Sequence, residues 1–506
     1  MTNTFKTYSR ENGGRVILLF LLFLLALYQL TNAGFSSFAL VCLIPLLVIY
    51  IYCAFRWKML TFWILIIVNY FIQMKDVTVP VPLSLPNELL QIILLAIAVV
   101  DARVNPQFEK CANLMLFSLI LWCSFCTLEI LNDTCNLGIN IGSWYTGARM
   151  MAIQLLYAFL VFSLYISTPK RLLNYIIVWG ILALFSAYWT WKQKNIGFTQ
   201  IEYAWLYYGP GQVTHLLNAR TLVRYFSTFS DAANYGCNAA ASAAAFIIFA
   251  ITAKFNKYRC FFAILSILVI WGMFQSGTRT AIYCLAAGLI LFVILSKSVK
   301  IAVPFSIVFL LFAFILVFTN IGDSNQQIRR MRSAFDKNDA SANVRDINKA
   351  AISKYMQDAP WGIGIGMNHD NVPSNNKYNR LTMIPPDSEY VFIWVRTGKV
   401  GITVFIITTL IMLGGACWTV MFRLKNKTLI GIGGGLCAAF AAIQLGGYAN
   451  QILMQYPNCL MFYGGLSIVY ILPNLEPAWI EYENKKIAQK AEKKRIKLEK
   501  RLASRV

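Results

Sequence analysis

The sequence predicts an all-α, polytopic transmembrane helical bundle carrying one large water-facing loop module. Three observations carry that reading. Of 506 residues, 58% are hydrophobic and only 13% are charged, where a soluble chain of this size has about a quarter charged. The mean hydropathy is +0.58. Apolar runs of roughly 17–25 residues, long enough to cross a bilayer, recur from Arg15 to Pro473. Most of the charge outside short basic loops falls between Thr319 and Tyr390.

The runs mark about fourteen spans: 16–32, 38–55, 58–74, 87–101, 111–130, 150–168, 172–191, 235–253, 259–275, 280–296, 301–319, 389–420, 428–449 and 458–473. The first follows Arg10 and Arg15 without a small-residue cleavage site, so it reads as a retained helix rather than a signal peptide. The chain accordingly divides into helices 1–11 (1–319), a loop module (320–388), helices 12–14 (389–475) and a basic tail (476–506).

Lysine and arginine fall in every second gap: Arg56/Lys58, Arg103/Lys110, Lys170/Arg171, Lys254/Lys257/Arg259, Lys297/Lys300 and Arg423/Lys425/Lys427. Basic loops face the cytoplasm, so both termini are expected there and the loop module outside. The net charge of +23 is explained by these loops and by the tail, read as a solvated helix near anionic headgroups; nucleic acid is not an expected partner. The 12 cysteines are scattered without metal spacing and read as buried thiols.

Within the module, residues 344–357 place apolar side chains at helical spacing, predicting an amphipathic helix of about four turns on the outer surface of the body. Asp358-Ala-Pro360 ends it. The glycine string Gly362-Ile-Gly364-Ile-Gly366 has no preceding strand and no clear following helix, so a tight turn close to a ligand or the bilayer is expected rather than a phosphate loop. The module closes on Pro385-Pro386-Asp387-Ser388-Glu389-Tyr390, polar residues at the mouth of a very apolar helix.

Two arginines stand out on the expected outer side, where arginine is sparse. Arg279 lies in a turn between two apolar runs, and Arg224 follows Arg220 shortly before another. Each can snorkel or pair with a carboxylate such as Asp231. Alternatively they clamp an anionic lipid headgroup, since a guanidinium binds oxygens through a fork and stays charged.

Four segments together resemble the bacterial O-antigen ligase and O-antigen polymerase superfamily. Arg224 followed by Phe229-Ser230-Asp231-Ala232-Ala233-Asn234 is similar to an arginine and an F-x-D-x-N pattern. Ser276-Gly277-Thr278-Arg279-Thr280-Ala281 is similar to an S-x-S-R-[TG]-A turn. Arg345-Asp346 through Ala351 to Pro360, Gly362 and Gly364 resembles R-D-x-x-W-x-x-A…P-x-x-G-x-G, with Lys349 in place of tryptophan. Asp387-Ser388-Glu389-Tyr390 through Gly398 and Gly401 is similar to H-N-x-Y-L…G-x-x-G. The resemblance covers roughly residues 215–402.

The resemblance implies an inner-membrane glycosyltransferase with its active site on the periplasmic face. It would move a glycan from a polyprenyl diphosphate carrier onto lipid A core or onto another carrier-linked repeat, with no metal or other cofactor. It implies that Arg224 and Arg279 hold the diphosphate leaving group and that Asp387, at the family's histidine position, is the catalytic base. A helix cap is the other reading of Asp387, and one residue can serve both. Arg220, Arg345, Tyr390, Glu389 and His369 are the further substrate-binding candidates. A flippase or other polysaccharide transporter is the main rival; it would want ionisable groups within many spans, and no internal repeat is visible. An assembly protein would not need arginines at two helix mouths.

Overall fold

The computed structural model describes residues 13–77, 84–102, 108–217, 222–298 and 340–503, with part of 303–332. Among the described residues the chain is all-α apart from one two-residue hairpin, and it divides into two units at Ile64–Leu65. The first unit contains α1 (Gly13–Arg56) and the start of α2 (Lys58–Phe71). Where the sequence reading has two spans, 16–32 and 38–55, the structure has one helix of 44 residues. Nothing between them forces a break. The Thr31 hydroxyl donates back to the carbonyls of Leu27 and Tyr28, and a lone glycine costs a helix only about 1 kcal/mol. The turn comes later, where Val48–Arg56 and Lys58–Phe71 are bent by 114°.

The second unit follows with α3 (Ser84–Ala102), α4 (Leu114–Leu128), α5 (Ile141–Ala148) running through a π-turn into α6 (Gln154–Tyr165), and α7 (Pro169–Asn195). Two short helices, α8 (Gln200–Tyr207) and α9 (Gly211–His215), lead to the antiparallel strands β1 (Leu216–Leu217) and β2 (Leu222–Val223). Then come α10 (Ala232–Thr252), α11 (Asn256–Gln275), α12 (Thr280–Ser296), α13 (Gln326–Arg332), α14 (Ala340–Met356), α15 (Asn379–Met383), α16 (Glu389–Trp418), α17 (Lys427–Ala449) and α18 (Asn458–Ala503). Among the described residues nine helices are long and apolar enough to cross a membrane, or up to ten if the bent pair is one span. The expected span 301–319 falls mostly outside the described residues.

Helices α10, α12 and α17 pack against one another, with α11 beside α10 and α18 against α6 and α17. The sequence explains this centre. α10 reads Ala-Ala-Asn-Tyr-Gly-Cys-Asn-Ala-Ala-Ala-Ser-Ala-Ala-Ala and is almost wholly buried. Small residues let backbones approach closely where lipid gives no hydrophobic drive between helices.

The two ends of this bundle differ. At one end Lys254 pairs with Glu483 of α18 at 3.0 Å, and Asn426 and Thr428 bond the same carboxylate. The basic gaps at 254 and 423–427 therefore meet the start of the tail there. That tail is no separate element: α18 runs from Asn458 to Ala503 as one helix, through Pro473 and Pro477. At the opposite end of α10, α11 and α12 lie Asp231, Ser276 and Arg279.

The amphipathic helix forms as α14. Ile352 and Met356 sink into a cluster with Ile363, Tyr378, Leu381 and Val395, while Val344 and Ile347 stay exposed. The glycine string does make a tight approach, to the protein's own backbone. Gly362 has φ +80, and a Cβ there would lie 2.4 Å from the Arg396 backbone. Gly398, at φ +67 inside α16, would bring its own Cβ within 1.9 Å of the Pro360 carbonyl oxygen. Ile363 and Gly364 donate to the carbonyls of Val395 and Arg396. Only residues without a side chain let the strap and the broken helix lie this close.

Candidate active site

The turn between α11 and α12 organises the site. Ser276 Oγ accepts from the Thr278 N–H and donates to the Met273 carbonyl, so the turn is fixed from within. Arg224 docks on it. Its Nε donates to the Ser276 carbonyl at 3.2 Å, its Nη2 to Thr278 Oγ1 at 3.1 Å, and its Nη1 to the Thr214 carbonyl at 3.0 Å. Three of the five guanidinium N–H groups are thus used among the described residues. Arg330, on α13, donates to the Gly277 carbonyl at 2.7 Å. Arg279 is half-buried at the start of α12, which has no side-chain cap.

The arginines feel one another. Loss of water around Arg224 pulls its pKa down to about 10; Asp231 opposes the shift, and Arg279 and Arg345 add to it. Asp231 is not tied up in an ion pair with Arg224. Its Oδ1 caps α10, accepting from the N–H groups of Ala233 and Asn234 at 2.8 and 2.9 Å.

Arg345, whose charge is felt at Arg224, lines a groove of about 420 Å³. The groove is walled by Arg345, Asp346 and Lys349 of α14, by Asp387, by Tyr390, Val391, Trp394 and Ile402 of α16, and by Tyr448 and Ala449 of α17. Asp387 holds the left-handed conformation, φ +54, and Asn348 Nδ2 donates to its Oδ2 at 2.8 Å. The helix-cap reading of Asp387 does not hold. Ser388 occupies the N-cap position of α16 without a side-chain cap bond, and its hydroxyl donates to the Gly447 carbonyl. Asp387 lies one residue too early to reach the first free N–H groups.

The remaining candidates separate. Tyr390 lines the groove and donates its hydroxyl to the Gln444 carbonyl at 3.1 Å. Glu389 is buried, accepting from the Leu453 N–H at 2.9 Å, and is not among the groove residues. His369 is exposed in the loop after the glycine string, also away from the groove. Arg220 lies outside the described residues.

Sequence reasoning passed over the supports. His215 is buried, with Nε2 accepting from the Ala232 N–H at 2.9 Å and Nδ1 2.7 Å from Thr214 Oγ1. That fixes the neutral tautomer, with the proton on Nδ1. Burial first, then Arg224 and Lys75, push its pKa down to about 3. Lys75 donates to the Ser230 carbonyl at 2.7 Å and sits 3.9 Å over the Trp205 ring; loss of water lowers its pKa to about 8 against the pull of Asp231. Asn234 bonds Gln73, Ser230, Tyr456 and Asn458, tying the start of α10 to the loop before α18. The spans are also less free of charge than their sequence suggests: Arg149 pairs with buried Glu88 at 3.4 Å.

Fold and site together define a multi-pass helical membrane protein whose arginines gather at helix mouths, beside a groove holding a carboxylate. Residues 264–406 match the family model for O-antigen ligase, which places that stretch in the O-antigen ligase/polymerase superfamily. The match includes the Arg279 turn, α14, the glycine string and Asp387; Arg224 lies before it. No curated protein matches the chain.

Proposed function

We propose that this protein is an inner-membrane glycosyltransferase of cell-surface polysaccharide synthesis, acting on a glycan linked to a polyprenyl diphosphate. The observation that carries the reading is the docking of Arg224 on the turn that bears Arg279, together with the groove that Arg345 and Asp387 line. The family match supports a ligase- or polymerase-like activity.

In this reading Arg279, and the Arg224 N–H groups that bond nothing among the described residues, hold the diphosphate beside the N-terminus of α12. The acceptor is lipid A core or another carrier-linked repeat. Its hydroxyl oxygen attacks the anomeric carbon and forms the new glycosidic bond. The bond from that carbon to the carrier phosphate breaks, and the electron pair leaves with the diphosphate, where the arginines stabilise it. The hydroxyl proton passes to Asp387, held in place by Asn348. In this reading the site faces the periplasm and both termini the cytoplasm; the meeting of the basic gaps at 254 and 423–427 at the end of α10 opposite the arginine turn supports it.

The envelope glycans of a deletion strain test this. Polymer lost from lipid A while carrier-linked polymer persists means a ligase; a single repeat on lipid A means a polymerase. A lipid-linked oligosaccharide flippase is the second reading, favoured by the buried Glu88–Arg149 pair; it predicts carrier-linked glycan retained on the cytoplasmic side. Unchanged glycans would remove both.

A further inference from the structure

The groove has two chemically different sides. Arg345, Lys349 and Asp387 give it a charged rim; Trp394 and Tyr448 give it an aromatic wall. Tyr448 is 69% exposed in the last turn of α17, a helix otherwise largely buried. Trp394 is half-buried and packs against the loop module's own core. Aromatic residues at a membrane surface often only mark headgroup level. That explains an exposed tyrosine, but not a tryptophan seated in the module and sharing one cavity with it and with Asp387.

A wall of this kind suits a sugar. Each face of a pyranose carries C–H groups with partial positive charge, which match the negative face of an aromatic ring. The hydroxyls around its edge both donate and accept, and so suit carboxylates and cationic donors together. A cavity of about 420 Å³ is in the range of small-molecule sites, which combine an apolar lining with a few placed polar groups.

We propose that Trp394 and Tyr448 are the platform on which the acceptor sugar stacks, setting its hydroxyl over Asp387. The inference rests on the glycosyltransferase reading and assigns this wall to the acceptor, not to the donor diphosphate. Both residues are positioning groups that set acceptor affinity.

The test uses the full-length protein in membranes, carrier-linked glycan donor at saturation and a titrated acceptor. The acceptor probe is lipid A core extracted from the deletion strain, with carrier-linked single repeat in a parallel arm. Tyr448→Ala and Trp394→Ala are each expected to raise the KM for the acceptor about tenfold, with kcat within about twofold and donor KM unchanged. Tyr448→Phe keeps the ring and behaves as wild type; Tyr448→Leu keeps apolar bulk but behaves as alanine. A leucine variant with wild-type acceptor KM, or alanine variants that alter only donor KM, would overturn the platform. If Arg279→Lys abolishes transfer while Tyr448→Ala leaves acceptor KM untouched, this inference falls and the glycosyltransferase reading stands. No transfer by wild type to either probe removes both.

Discussion

Asn348 Nδ2 and Asp387 Oδ2 lie 2.8 Å apart, joining the amphipathic helix of the loop module to the mouth of α16. The amide fixes one carboxylate oxygen and leaves the other for a substrate. Hydrogen bonds to charged groups contribute about 1.5–3 kcal/mol. Asn348→Ala is therefore expected to lower transfer roughly tenfold or more, and Asn348→Asp to lower it further by setting two carboxylates face to face. Transfer at wild-type rate by Asn348→Asp would separate Asp387 from the chemistry.

Asp387 itself gives a sharper comparison. Asparagine tolerates the left-handed backbone at this position about as well as aspartate, so Asp387→Asn should fold normally and lose transfer. Asp387→Gly relieves the backbone at φ +54 but gives up the Asn348 bond, so it should still fold, yet be equally inactive. Thermal unfolding and glycan transfer measured on the same preparations check both. Full activity in Asp387→Asn would return attention to the arginines alone.

The two arginines should fail in different ways. Arg224 holds the Ser276 and Thr214 carbonyls and Thr278 Oγ1 at once, which a lysine ammonium cannot span. Arg224→Lys is expected to lose transfer and about 1–3 kcal/mol of stability. Arg279→Lys keeps the charge at the mouth of α12 but not the fork, and should lose transfer. Thr278→Val removes one Arg224 bond while keeping the guanidinium, and an intermediate loss of activity is expected.

His215 makes stability depend on pH. Its folded pKa, about 3, lies below the ordinary value of 6.5. Above pH 6.5 the ring is neutral in both states and its bond to Ala232 stands in full. Below it the unfolded chain takes up a proton that the folded protein refuses, so stability falls as pH drops toward 3. Thermal unfolding between roughly pH 7 and 5 should show the slope, and His215→Gln should flatten it. An unchanged slope would place the pH dependence elsewhere.

Topology is checked by labelling single cysteines at Asn338 and Asn426. The first is expected to react from outside intact cells and the second only after the cytoplasmic side is opened. The reverse pattern would invert the protein in the membrane.

Much of this was legible before any coordinates. Apolar runs mark most helices because a bilayer imposes both composition and length. Arg224 and Arg279 stand out because arginine is costly near hydrocarbon, and Arg345 through the motif it shares with the family. What stayed hidden was pairing through space. Asn348 looks like any polar residue on an exposed helix face until it meets Asp387, 39 positions away. Nothing in the sequence around His215 marks its role, since its partner is a backbone N–H. The glycine string announces a tight turn, expected beside a ligand or the bilayer, and its approach to the Arg396–Gly398 backbone could not be read from it. The join in α1 was missed because a short polar stretch between two apolar runs looks like a turn, although its hydroxyl is satisfied inside the helix.

The break at Gly398 divides the wall that α16 gives the groove. Tyr390, Val391 and Trp394 precede it, and Ile402 follows it. The aperture between them is therefore set by two dihedral angles at a single residue. A Cβ at that position has no room beside Pro360, so even alanine must re-aim one wall against the other. Substrate range in this protein is thus open to adjustment from a site that no substrate touches, and a screen confined to groove-lining residues would overlook it.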